Sequence, residues 1–169
     1  MKIAIYGPDF NERSHSAIVT LTEYLSEKAI EVAVENNFYD SIAKQSSIKI
    51  DRFGFQTFKK LDTSFDLLIC VGGDGTTLRA ITYVKDLNIP IVGINTGRLG
   101  FLATIKKDII VGALEQIFEE KYRISKRSVL SVTTDKKEAN FDFDFALNEV
   151  AISRKNTTSM ISIETWLDD

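Results

Sequence analysis

The sequence predicts an α/β protein: a Rossmann-like parallel sheet with helices, followed by the beginning of a β-rich second domain. Three observations predict it. Apolar runs at Lys2–Tyr6, Asp66–Val71 and Ile89–Ile94 have the length and continuity of strands covered on both faces. Stretches of helical spacing follow the runs, and strand–helix alternation implies right-handed crossovers and a parallel sheet. After about Tyr122 the helical spacing stops, and strand-like runs succeed one another across polar turns. The predicted boundary places residues 1–121 in the Rossmann-like domain and residues 122–169 in the first strands of the second.

Taken in order, Lys2–Tyr6 reads as a strand ending at the turn Gly7-Pro8. Ser16–Ala29 carries Ile18, Leu21, Leu25 and Ala29 at helical spacing; Glu31–Val34 reads as a second strand or an extension of that helix. Phe38–Phe58 reads as short helices joined by loops. Asp66–Val71 is a strand ending in Gly72-Gly73-Asp74-Gly75, and helical spacing resumes from Thr76 with Leu78, Ile81, Tyr83 and Val84. Ile89–Ile94 is the next strand, and Asp108–Glu120 an amphipathic helix with Ile109, Ala113 and Ile117 inward. Ser128–Thr134, Phe141–Ile152 and Ser159–Leu167 read as strands. Three strands are few for an independent sheet domain, so the second domain is expected to continue beyond this chain.

Composition narrows the function. The 169 residues carry 21 Lys and Arg against 24 Asp and Glu, a net charge of −3. That balance, with basic clusters as short as Lys106-Lys107 and Arg123–Arg127, argues against a nucleic-acid partner. No run approaches the roughly 20 apolar residues that span a bilayer, so no membrane is expected. The single Cys70 lies inside an apolar strand, which fits core packing and a cytoplasmic, reducing compartment. With one histidine, His15, and one cysteine, no His/Cys metal cluster can form. Any metal would be a hard cation arriving with a phosphate.

Two loops carry the chemistry. Gly72-Gly73-Asp74-Gly75-Thr76 joins a buried strand to a helix, where glycines admit a ligand close to the backbone and the helix start favours phosphate. Asp74 in that place suits a base acting on an attacking hydroxyl, or a partner of a bound metal; the plainer reading is a tight turn with a helix cap. Asn95-Thr96-Gly97-Arg98-Leu99-Gly100-Phe101 follows the next strand, so both loops should emerge at the carboxyl edge, where open α/β sheets bind ligands. Asn95 and Thr96 can hydrogen-bond phosphate or ribose, and Arg98 can meet a phosphate. Phe101 can stack on a base or nicotinamide ring, or, with Leu99, simply pack the loop. In Ala146-Leu147-Asn148-Glu149-Val150, alternation along a strand would send Asn148 and Glu149 to opposite faces, toward a cleft or toward solvent at an edge.

GGDGT at Gly72–Thr76, NTGRLGFL at Asn95–Leu102 and LNEV at Leu147–Val150 together resemble the NAD kinases, and the resemblance runs from Lys2 to the end of the chain. It implies NAD bound between a Rossmann-like and a β-rich domain. It also implies phosphoryl transfer from ATP, or polyphosphate, to the adenosine-ribose 2′-hydroxyl, giving NADP. Mg²⁺ with ATP and a homodimer or homotetramer are implied too. By position, Asp74 would be the base, Gly75 and Phe101 would contact the dinucleotide, and Asn148 and Glu149 would bind its ribose or nicotinamide. Gly72, Gly73 and Thr76 would shape the phosphate loop with Asn95, Thr96, Gly97 and Arg98. Arg79 would reach a phosphate. Arg98 stands where members of the family vary. The family continues with a Gly/Thr/Ser-rich stretch that completes the pocket, so the 169-residue chain alone is expected to be inactive. GGDGT by itself also resembles diacylglycerol and sphingosine kinases. A lipid kinase and a non-catalytic dinucleotide-binding module are the alternatives.

Overall fold

The computed structural model describes residues 1–45, 47–98, 100–135, 144–154, 158 and 160–167. Its contacts divide the chain into two units, Met1–Lys126 and Arg127–Asp169.

The first unit is built on strands β1 (Lys2–Tyr6), β2 (Glu31–Glu35), β3 (Gln56–Phe58), β4 (Leu67–Gly72), β5 (Ile91–Asn95) and β6 (Ile105–Lys106). All neighbours pair in parallel, in the order β3-β2-β1-β4-β5-β6. Because side chains alternate across a strand, each apolar run feeds two cores. Ile3, Ile5, Val32, Val34, Leu67, Ile69 and Val71 enter one. Ala4, Tyr6, Ala33, Leu68 and Cys70 enter the other. Each fully buried aliphatic side chain contributes about 1.5–3 kcal/mol. Cys70 is a core residue whose thiol pKa is pushed up by burial.

Helices α1 (Glu12–Ser26), α2 (Asn36–Ala43) and α4 (Ile110–Phe118) cover the first core, and α3 (Asp74–Val84) covers the second. Helix α1 starts and stops earlier than the expected Ser16–Ala29. Asn11 caps it: its Oδ1 accepts the Ser14 N–H at 3.1 Å while Ser14 Oγ accepts the Asn11 N–H at 3.0 Å. His15 therefore lies within the helix. Glu31–Glu35 is a strand and does not extend that helix. In Phe38–Phe58, α2 is followed by a 3₁₀ turn at Ile50–Phe53 and by edge strand β3.

Two helical faces show how the sheet is covered, and that of α4 differs from expectation. On α3 the buried residues are Thr76, Thr77, Ala80 and Val84, while Leu78, Ile81 and Tyr83 are only partly buried. Small side chains let α3 lie close to the sheet: a Cβ built on Gly93 of β5 would stand 3.1 Å from Thr77 Oγ1. On α4, Ile110 and Leu114 are buried, Ala113 and Ile117 partly so, and Ile109 is exposed. A 3₁₀ turn at Lys107–Ile109 precedes α4, and its tighter winding shifts the phase of the apolar stripe. The two-residue β6 was too short to read from sequence.

The second unit holds a two-stranded antiparallel ladder, β7 (Leu130–Ser131) with β8 (Phe145–Ala146), prolonged by a 2.7 Å bond from Val132 N–H to the Asp144 carbonyl. Among the described residues of the strands expected at Ser128–Thr134 and Phe141–Ile152, only these segments are strand, and residues 160–167 carry none. Residues 136–143, 155–157 and Ser159 lie outside the described residues. A short two-stranded ladder is marginal without a face to bury, and here Ile152, Trp166 and Leu167 are exposed.

Candidate active site

The sheet turns its carboxyl edge into a site because the chain reverses direction between neighbours. From β1 it moves outward to β2 and β3; from β4 it moves the other way to β5 and β6. The crevice outside such a switch point is where open α/β sheets bind ligands. Here it lies at the ends of β1 and β4, at Tyr6-Gly7 and Gly72-Gly73. On the β5 side of it, Asn95 begins the second loop.

Gly72 ends β4 and Gly73 is the N-cap of α3, with no side-chain cap bond. The helix begins at Asp74, ahead of the expected Thr76, so the aspartate occupies its first turn, where the dipole favours negative charge. Its carboxylate does not cap its own helix. Oδ2 accepts the Phe101 N–H at 2.8 Å, and Oδ1 accepts the Leu102 N–H at 2.9 Å and the Ala103 N–H at 3.0 Å. These amides, 27 to 29 residues further along, hold the carboxyl pKa below the usual aspartate value. The plain turn-and-cap reading of Asp74 is thereby replaced by a loop-to-loop contact. Thr76 is buried beneath Gly72, where any Cβ would overlap its side chain. Gly75 is exposed on the first turn.

The second loop closes on itself. Asn95 Nδ2 donates to the carbonyls of Arg98 at 2.8 Å and Ala103 at 3.3 Å, and Oδ1 accepts the Gly97 N–H at 2.8 Å. Thr96 N–H donates to the Gly72 carbonyl at 3.3 Å, joining the two loops. Asn95 thus shapes its own loop through both polar atoms of its side chain. Asn95, Thr96 and Gly97, with Lys106, Lys107 and Asp108, line an open cavity of about 230 Å³. Arg98 is exposed beside them, and Phe101 is 92% exposed, which removes loop packing as its role. Leu99 lies outside the described residues.

Arg79 stands apart from this loop, on α3 near Tyr6 at the end of β1. Burial pushes the Tyr6 phenol up, and the Arg79 guanidinium partly offsets that rise. The Tyr83 ring lies tilted against Tyr6, centroids 5.0 Å apart, and its own phenol is pushed up to about 12, first by burial and then by Glu35. Glu35 ends β2, buried, accepting the Phe38 N–H at 3.0 Å. Tyr6, Glu35, Lys106 and Lys107 were missed as neighbours of the edge. For Tyr6 and Glu35 the signal available was position at the end of a parallel strand; Lys106 and Lys107 follow β6, which is too short to read from sequence.

Asn148 and Glu149 are exposed and lie beyond β8, in the second unit. The alternation argument fails for them, because pairing stops at Leu130–Ala146 and no strand remains to alternate. Among the described residues no three His, Cys, Asp or Glu side chains gather into a metal position. The Asp74 oxygens are largely engaged by amides, so the residues present do not by themselves fit a bound Mg²⁺.

Residues 5–122 match the family ATP-NAD kinase N-terminal domain. The chain belongs to the NAD kinase family. It is 50% identical to an NAD kinase of Christiangramia forsetii over 170 residues, covering 100% of this chain and 58% of that protein. An NAD kinase of Flavobacterium psychrophilum is 46% identical over 169 residues, again 58% of its length. The chain thus spans little more than half of these curated relatives. The structure of yeast NADH kinase complexed with NADH superimposes with a TM-score of 0.60 at 18% identity, over 76% of this chain and 39% of that one. That likeness, for this NAD kinase family member, is one of fold. No helix among the described residues is long and apolar enough to cross a membrane.

Proposed function

We propose that the protein carrying this chain is an NAD kinase, transferring a phosphoryl group from ATP or polyphosphate to the adenosine-ribose 2′-hydroxyl of NAD to give NADP. One observation carries the reading: at the switch-point edge, between two glycine-rich loops, a single carboxylate is fixed by three amides at 2.8–3.0 Å. A carboxylate held in this way between the loops repels phosphate and suits a hydroxyl donor.

In the reaction the 2′-oxygen forms a bond to the terminal phosphorus, the bond from that phosphorus to the bridging oxygen breaks, and ADP departs. The proton of the hydroxyl passes to Asp74. A carboxylate of lowered pKa is a weak base. In a loose phosphoryl transfer, orientation of the nucleophile counts for more than early proton removal. Gly72, Gly73, Gly75 and Thr76 let phosphates approach the start of α3. Thr96, Gly97 and Arg98 face the same edge, Arg79 reaches it from the β1 side, and Phe101 offers its ring to the dinucleotide. Mg²⁺ bound to the nucleotide phosphates would screen their charge; no step here runs through it.

The proposal extends to the rest of the protein. Residues 127–169 begin the β-rich domain that meets NAD, with Asn148 and Glu149 directed to ribose or nicotinamide. The enzyme is a cytoplasmic homo-oligomer, in keeping with its reduced, buried Cys70. The test uses the complete protein. Asp74→Asn should lower NADP formation by about a hundredfold or more, while calorimetry still shows NAD binding, weakened by the freed Phe101 loop. Near-normal turnover in that variant would remove Asp74 as base. Label from ATP appearing in diacylglycerol and not in NAD would replace the reading with a lipid kinase.

A further inference from the structure

We propose that Asp74 is also a positioning residue: its carboxylate latches Phe101–Ala103 to the start of α3, and Gly100 is the position whose missing side chain makes room for it. The bonds to three consecutive amides fix the direction of that backbone. A Cβ built on Gly100 would overlap the Asp74 carboxyl carbon and both of its oxygens. Alanine at residue 100 and a carboxylate in this place therefore exclude one another. Neither backbone strain nor loop flexibility explains that glycine; the gap is filled by a side chain from the other loop.

The latch gives Phe101 its use. Its ring is 92% exposed while its own N–H is held at 2.8 Å, so a bare aromatic is carried on a fixed stem. Asn95 closes the neck of the same loop through Arg98 and Ala103, and Asp74 holds the far side. A carboxylate offers roughly four acceptor sites. The three amides use two on Oδ1 and one on Oδ2, which leaves Oδ2 as the atom a ligand hydroxyl would meet. The aromatic wall and the hydroxyl acceptor are thus set by one side chain, and the ring cannot be displaced without disturbing the acceptor.

Gly100→Ala separates this role from base chemistry, because it leaves the Asp74 carboxylate chemically intact. In the complete protein, amide exchange at Phe101, Leu102 and Ala103 should speed up by about tenfold or more in Gly100→Ala. Asp74→Asn should show the same loss, since an amide side chain presents one acceptor oxygen and turns an NH₂ toward a donor. The kinetic arm rests on the kinase reading. Gly100→Ala should raise the KM for NAD at least about tenfold, with a smaller change in kcat. The exchange arm does not depend on that reading. Asp74→Asn that keeps turnover but loses protection would sink the base and leave the latch. Asp74→Asn that loses turnover with protection intact, or Gly100→Ala with unchanged exchange and KM, would overturn the latch. Should Gly100→Ala fail to fold, exchange in Asp74→Asn still decides.

Discussion

Strand β4 and the ladder β7–β8 begin from similar sequence texture and end in opposite conditions. Leu67–Gly72 is buried at every position, with β1 and β5 paired on either side and helices over both faces. Leu130–Ser131 pairs on one side for two residues and is exposed at both. An apolar run specifies a strand only when the chain also supplies its neighbours and its cover. In the first unit every run has them; among the described residues of the second, apolar side chains such as Ile163 face solvent.

The largest expected effect tests that contrast at its centre. Ile69 is fully buried between two parallel neighbours. Ile69→Ala should cost about 2–5 kcal/mol in a denaturant titration of the chain. A loss below about 1 kcal/mol would mean that the first unit is no better packed than the second.

Next comes the contact between sheet and second loop. At Gly93, a Cβ would come within 2.6 Å of the Ala103 backbone. Gly93→Ala should therefore cost about 1–3 kcal/mol by overpacking and disturb the loop that Asp74 holds. If the melt is unchanged, β5 and the loop are less tightly apposed than β4 and β5. Smaller again, Asn11→Ala removes one half of the α1 capping box and should cost about 1 kcal/mol.

Legibility in the sequence followed the range of the interactions. Gly72–Thr76 was readable because strand, glycines and helix start are contiguous. The Asp74 latch was not, since its donors are backbone amides 27 to 29 residues away, and amides carry no residue identity. In sequence Gly100 is one loop glycine among several; only the fold brings the Asp74 carboxylate into its gap. Helical spacing marks α3 but not its inward face, because close approach to the sheet selects Thr76, Thr77 and Ala80 over the bulkier Leu78. Asn148 and Glu149 were placed by strand alternation, which has no force where the ladder ends at Ala146.

The latch also predicts a pH response. The Asp74 pKa is depressed on folding by its three amide donors, so its contribution is complete above the ordinary aspartate value of about 3.9 and is lost only as pH falls through the lower folded one. Exchange protection at Phe101–Ala103, corrected for intrinsic rates, should stay level from about pH 8 to about pH 4. A decline beginning near pH 6 would show that another group holds the loop.

The smallest effect belongs to the second unit. Ile163 is 51% exposed in a segment without strand pairing, so its truncation removes little area from contact. Ile163→Ala should shift the stability of this chain by no more than about 0.5 kcal/mol. The informative step is to repeat the same change in the complete protein. If Ile163 is covered there by further strands, the cost should rise to about 2 kcal/mol or more. A value still near zero would mean that this face stays in water even when the rest of the protein is present, and that the contrast between the two units is native to the protein.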